Sequence, residues 1–455
     1  MNEKLLPRRL LVILVFLVIF FYSLSALGKY GGGSGTPEDP YQIWDANHMQ
    51  AIGADANDWD KHFVLMADID LAQFDGRDGR EKFNIIGSFS WWPPDSIPFS
   101  GSFDGSDHTI LNYVYISPDT ENVGLFGHVA GEQAAIMNLG IVDGYVEGKQ
   151  SVGMLVGYNE GTIMDCYSTG SVLGTGPYTV GGLVGLNGFG DSNALIVNCS
   201  SSAHVVGAGN QIGGLIGANI GGSVVNSSAT GSVSGIDFVG GLAGSNFGSN
   251  AGDFLWHCYS GGAVTGSNSV GGLVGNNNHT IGKCFAVGSV EGGSSVGGLV
   301  GHMEWGQISE CYAICDISGS AEDIAGLVGN KQGGDIVGCY SAGSLNGIGR
   351  PRGGLVGDNE AGNIEHSYWD IQASSEPNMC GNPDDPNCDN SYGKTTAEMK
   401  QQSTFQDWDF INVWNIGENQ TYPYLRKYSA ANINKDQIVN FLDLAIISQQ
   451  WLEEI

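Results

Sequence analysis

A short glycine-rich phrase returns nine times along this chain, and no other feature limits the fold as strongly. It starts as Val-Gly-Leu-Phe-Gly at 123–127 and Val-Gly-Met-Leu-Val-Gly at 152–157. It then recurs at 180–185, 212–217, 239–244, 270–275, 296–301, 324–329 and 352–357. Its central residues are Leu125, Leu155, Leu183, Leu215, Leu242, Leu273, Leu299, Leu327 and Leu355, spaced 26 to 32 residues apart. One unit of that size cannot bury an apolar face alone, so such a period signals a stacked, solenoid-type array.

Each copy carries a second phrase, such as Cys166-Tyr-Ser-Thr-Gly-Ser-Val172 or Cys284-Phe-Ala-Val-Gly-Ser-Val290. Alternate residues separate two faces. Cys284, Ala286, Gly288 and Val290 form a small, apolar face, expected inside. Phe285, Val287 and Ser289 form a larger, mixed face, expected outside. About 28 residues at about 3.3 Å each give a contour near 90 Å, enough for two or three short strands and their turns. Coils stacked about 4.8 Å apart make nine of them a rod roughly 40 Å long. A helical repeat competes poorly, because Gly-Gly pairs and Ser/Thr/Val runs both disfavour helix. The expected fold is therefore all-β, a parallel β-helix. Its glycines would mark turns that need positive φ or places where backbones approach closely.

The repeat phrase followed by the Cys-Tyr-Ser-Thr-Gly strand resembles the GLUG repeat of bacterial surface and secreted proteins. The resemblance spans residues 123–370 and implies a β-solenoid at the cell surface. GLUG repeats also occur beside other modules, including some immunoglobulin-A peptidases. This chain has no His-Glu-x-x-His zinc motif, so the resemblance brings no protease chemistry with it. Residues 29–122 resemble the segment that precedes such arrays and would cover one open end. Residues 371–429 resemble the usual exit, with Trp408, Trp414, Tyr422, Tyr424 and Leu425 available to plug the other.

Cys166, Cys199, Cys258, Cys284, Cys311 and Cys339 share one repeat position, with Ser227 and Ser367 in its place twice. Exchange with Ser fits a buried column of small side chains. One thiol per coil matches zinc spacing poorly. Cys380 and Cys388 bound a polar Pro/Asp/Asn loop and are expected to form a local disulfide. Tyr167, Tyr259, Phe285, Tyr312, Tyr340 and Tyr368 follow the Cys position, so they should stack on the outer face. Such a strip is either a structural column or an extended platform for a glycan or a protein. Length variation concentrates after the leucine phrase, at 186–194 and 247–253. That places the long inserts on one edge, as binding loops or as drift in solvent.

Both ends of the chain carry separate signals. Lys4, Arg8 and Arg9, an apolar run from Leu10 and the small residues 23–28 have the parts of a secretory signal. An uncleaved 18-residue anchor is the other reading, and in that case alone would the chain touch a membrane. Either way the remainder is exported, to the cell surface or beyond. In the tail 430–455, Asn432, Asn434, Asp436, Ile438, Asn440 and Asp443 are spaced like a calcium loop running into a helix. This resembles half of a type I dockerin and implies calcium and a cohesin-like docking partner. Asn432 stands where Asp is usual, Gln437 stands for the turn glycine, and one copy is present where two are usual.

Charge narrows the function further. The chain has 18 Lys+Arg against 48 Asp+Glu, a net −30, which excludes a basic nucleic-acid binder. Residues 150–370 hold only 16 acids and 4 bases, with no row of acids at one repeat position. Parallel β-helices also host polysaccharide lyases and hydrolases, but those sites need convergent carboxylates. The reading is an exported, non-catalytic scaffold for adhesion or ligand binding, with a polysaccharide-degrading enzyme or its accessory subunit as the alternative.

Overall fold

The computed structural model describes residues 29–90, 95–190, 192, 194–248, 254–382 and 384–426. The signal segment and the calcium-loop residues 432–443 lie outside the described residues.

The chain winds into a β-solenoid of about ten turns, built from stacked parallel strands. One turn shows the plan. Asn268–Gly271 is a strand, Leu273 points into the core, and Val274–Asn277 and Thr280–Gly282 follow. Cys284 then marks a corner, and Phe285–Gly292 leads back to Ser294–Gly297, one turn further on. Like lies on like: Val270 pairs with Val296, Val274 with Val300, Ile281 with Ile308, and Phe285 with Tyr312. Three parallel sheets result. The third, nine strands deep, holds the strand before each leucine phrase. The core is a continuous column of Val, Ile, Leu and Cys, and most of these side chains are wholly buried.

The two-face reading of 284–290 holds at Cys284, Ala286 and Val290, which are buried. It fails at Gly288. That residue is exposed, with φ +114, and the strand bends there.

The glycines play a narrower part than turn formation. Each coil has two left-handed corners, and non-glycine residues fill nearly all of them. One set precedes the Cys position: Asn138, Asp165, Asn198, Asn226, His257, Lys283, Glu310 and His366, all at φ 46 to 56. The other set starts the leucine phrase, at Ser151, Thr179, Gln211, Phe238, Ser269, Ser295 and Asp323. The glycines of the phrase serve where sheets touch. A Cβ on Gly213 would lie 2.0 Å from the Ile216 carbonyl oxygen, and one on Gly244 would lie 2.3 Å from the Gln211 carbonyl carbon.

A second inner column went unread in the sequence. Asn159, Asn187, Asn219, Asn246 and Asn277 occupy one register position and are buried. Each of the first four donates its amide Nδ2–H to the next one's Oδ1, at 2.7–2.9 Å. Asn159 and Asn219 also bond backbone groups across the bend that follows. These bonds satisfy polar groups that burial would otherwise strand.

Stacking begins before the first repeat phrase. Tyr41–Ile43, His62–Leu65 and Ser102–Asp104 already extend the first sheet. Over them, helix Ala46–Ala54 is capped by the Asp45 carboxylate and buries Ala46, Met49 and Ile52. At the far end the plug differs from expectation. Trp369, Met379 and the Cys380–Cys388 disulfide (S–S 1.99 Å) close the core. The amides of Leu355 and Val356 donate to the Met379 carbonyl as they would to another coil. Among the described residues no helix is long and apolar enough to cross a membrane.

Candidate binding surface

The rings of Tyr259, Phe285, Tyr312 and Tyr340 stack face to face on the outer side of the second sheet. Their centroids are 4.8–5.1 Å apart and their planes differ by 1–8°. Parallel in-register pairing causes this, since residues one turn apart sit side by side. Tyr368 continues the register beyond Tyr340. Tyr167 does not join the stack, because Ser200 and Ser228 occupy the two coils between it and Tyr259.

The strip is not open along its length, as the platform reading alone would require. Tyr312, Tyr340 and Tyr368 are buried beneath the C-terminal segment. Trp414 lies 6.1 Å from both Tyr312 and Tyr340, and Phe405 lies 5.0 Å from Tyr368. Trp408 and Trp414 stack on each other at 4.4 Å. Polar bonds fasten the cover. The Tyr340 hydroxyl donates to the Pro423 carbonyl, the Tyr422 hydroxyl to Asp370, and the Trp408 indole to the His366 carbonyl. Trp408, Trp414 and Tyr422 therefore clamp the side of the rod instead of plugging its end. The physical reason is that the aligned rings present a flat apolar face, and covering it removes that face from water.

Tyr259 (38% exposed) and half-buried Phe285 remain as an open aromatic step at the edge of the clamp. Lys283, two residues before Phe285, sits 5.1 Å over the Trp256 ring and 3.6 Å from Glu310. His257 occupies the same corner row. Burial, reinforced by the Lys283 charge, pushes its pKa down to about 4.

Two further aromatics stand out at the turn between the halves of the first sheet, where the inserts fall. Phe189 belongs to the first long insert, and Trp305 (65% exposed) projects from a later coil. Much of the second insert, 249–253, lies outside the described residues.

A compact titratable group on the array face is formed by His128, Tyr158 and Glu160. His128 stacks on Tyr158 at 4.8 Å and bonds Glu160 at 2.9 Å, with Phe89 edge-on to both rings. Burial pushes Glu160 up, but bonds from His128 and Tyr158 outweigh it and hold the carboxyl below its usual range. Phe89 covers the pair, which ties the segment beside the Ser88–Ile97 bridge to the array. Among the described residues no three His, Cys, Asp or Glu side chains are gathered as a metal site.

The thiol column has a bonding role beyond that of small apolar filler. The Cys258 amide donates to Cys284 Sγ, Cys284 to Cys311 Sγ, and Cys311 to Cys339 Sγ, at 3.3–3.4 Å. Where serine stands in the column, the hydroxyls of Ser227 and Ser367 accept the same bond at 3.1 Å.

Comparison with known proteins follows the same lines. The family model described as the GLUG motif matches residues 208–234, one copy of the repeat. Halomucin of Haloquadratum walsbyi is 30% identical over 187 residues, 40% of this chain. A protein of Evansella cellulosilytica, described as a Gly-rich membrane protein, is 31% identical over 118 residues, 26% of this chain. The aligned stretches make up only 2% and 12% of those relatives' own lengths. Among solved structures, one described as an immunoglobulin A1 protease from Bacteroides ovatus aligns with a TM-score of 0.44 at 21% identity. That alignment covers 88% of this chain and 96% of the other. The GLUG repeat and the β-helix fold fit a surface repeat protein.

Proposed function

We propose that this chain is an exported, cell-surface or secreted scaffold that presents a rigid rod for adhesion, binding a glycan on its open aromatic step. One observation carries the reading. Tyr259 and Phe285 form a flat, parallel pair on a strand face, partly open to solvent. Flat aromatic faces with a polar rim suit the apolar faces of sugar rings, and Lys283 and Glu310 supply polar groups on adjoining corners. The surface location is supported by the names of the two relatives. In this reading the tail residues Asn432, Asn434, Asp436, Ile438, Asn440 and Asp443 hold calcium and dock a cohesin-like module. The rod binds its ligand independently of that tail.

A glycan array probed with the full chain and with Tyr259→Ala tests the site. Binding that falls at least tenfold in the variant supports it; equal binding by both sinks it. A calcium titration of peptide 426–455 tests the tail, and unchanged helicity removes the docking part of the proposal.

A further inference from the structure

The asparagine column breaks near its end. Met303 takes the position after Asn277, Lys331 takes the next, and Asn359 the last. Lys331 is wholly buried, and among the described residues no carboxylate lies within ion-pair distance of it. An unpaired buried ammonium is costly, so this lysine needs an account.

Its surroundings supply one. Lys331 Nζ lies 2.9 Å from Asn359 Oδ1, one bond from the side-chain carbonyl carbon. The Ala361 carbonyl accepts a second bond from Nζ. On its other side, Asn359 Nδ2 donates to Asp385 Oδ2 at 2.6 Å. Asp385 lies inside the Cys380–Cys388 disulfide loop, and its other oxygen is held by the Asn387 amide at 2.8 Å. A buried amine, a carboxamide and a carboxylate thus stand in line, and Asn359 is itself almost fully buried.

We propose that Lys331 and Asn359 join in an intramolecular isopeptide bond, with Asp385 as the proton carrier. The unprotonated Nζ attacks Asn359 Cγ, and the new N–C bond places negative charge on Oδ1. In the tetrahedral adduct Nζ shares its carbon with Nδ2, which brings the Nζ proton to the carboxylate already bonded to Nδ2, and Asp385 takes that proton and delivers it to Nδ2. The Cγ–Nδ2 bond breaks and ammonia leaves, so a primary amine and a primary amide become a secondary amide. No oxidant or external reactant is consumed. Desolvation favours the step, because burial pushes the Lys331 pKa down to about 8 against the opposing charges of Asp335 and Asp385. Fixed contact between the reacting groups supplies the effective concentration.

The product would join the last two coils. The residues are 28 apart, one coil length, so the bond closes a ring around a single turn. It lies beside the disulfide that seals the same end, where a solenoid is most exposed to fraying.

Intact-mass spectrometry and peptide mapping of the full, oxidised chain test the proposal. The expected result is a mass one ammonia below the disulfide-bonded sequence, and a branched peptide joining Lys331 to Asn359. Lys331→Met serves as a control that keeps the fold, since Met303 already fills this column position. It should fold by circular dichroism, as should Asp385→Ala. Lys331→Met should show no ammonia loss, and Asp385→Ala little or none. A native chain of full mass, with Lys331 and Asn359 in separate unbranched peptides, overturns the proposal. So does full cross-linking in Asp385→Ala as regards the role of Asp385.

Discussion

The backbone amide of Cys284 donates to the sulfur of Cys311, one coil away, at 3.3 Å. The Cys284 thiol in turn points to the Gly282 carbonyl, two residues back, at 3.1 Å. Cys284, Cys311 and Cys339, like Ser227 and Ser367, each bond the carbonyl at their own left-handed corner and accept from the neighbouring coil. Serine can do both and alanine neither. Cys284→Ser should cost well under the roughly 1–3 kcal/mol expected for Cys284→Ala, which strands the buried Cys258 amide. Urea denaturation of the two variants checks the order. Equal losses would reduce the column to apolar filler.

The seven free thiols of the described region are all buried. Burial pushes Cys315 up to about 12 and raises Cys258 and Cys311 as well. An exported protein can therefore keep them reduced, because burial denies access to all seven. Native protein should react with a thiol reagent at none of the seven, and unfolded protein at all of them. Stoichiometric labelling of the native rod would contradict the burial.

Glycine substitutions should divide by contact. Gly213→Ala places a methyl 2.0 Å from the Ile216 carbonyl oxygen, and only movement of the backbone can relieve it. A loss of about 1–3 kcal/mol is expected, as for overpacking. Gly261 has φ outside the left-handed range, and its nearest atoms would be side-chain methyls at 3.7 Å. There alanine should be neutral or stabilise by about 0.4–1 kcal/mol, by restricting the unfolded chain. Thermal melts of the pair check the sign.

His257 predicts an acid-sensitive window. Its folded pKa is about 4, depressed first by burial and then by Lys283, against about 6.5 unfolded. The unfolded chain thus binds the extra proton between those values. Stability from this site is complete above about pH 6.5 and falls as pH drops toward 4. The total is at most roughly 3 kcal/mol. His257→Asn keeps a residue that tolerates the left-handed corner, since Asn198 and Asn226 occupy it in other coils. It should flatten stability between pH 6.5 and 4. An unchanged slope would assign the acid sensitivity to other groups.

Periodicity made the solenoid legible because one spacing governs every coil. The Cys position could be placed inside because alternation in Cys284–Val290 has one small face. The asparagine column stayed hidden because Asn reads as a loop residue. Yet Asn at the second place after Val-Gly or Ile-Gly, as in 159, 187 and 219, is a repeated polar residue inside an apolar strand, and that was the available signal. The clamp could not be read at all. Nothing local to Trp408 or Trp414 says that they fold back along the rod and not across its end. That choice depends on ring alignment between residues 28 apart, which exists only after stacking.

The clamp and the aromatic step compete for one surface, which yields the sharpest test of the binding proposal. Trp414 is nearly fully buried against Tyr312 and Tyr340. Trp414→Ala should destabilise the C-terminal segment by about 3–5 kcal/mol, as for a large buried aromatic. The rest of the rod should be much less affected, because solenoid stability is a sum of neighbour terms. Hydrogen exchange should therefore rise across 399–426 while the coils around Leu215 stay protected. Once lifted, the segment exposes Tyr312 and Tyr340 as two more rings in line with Tyr259 and Phe285. If the stack is the ligand platform, the variant should bind an extended glycan more tightly than the native chain does, and Tyr259→Ala should weaken both. If Trp414→Ala loosens the segment yet leaves binding unchanged, the stack serves only to hold the clamp, and the ligand site must lie elsewhere on the rod.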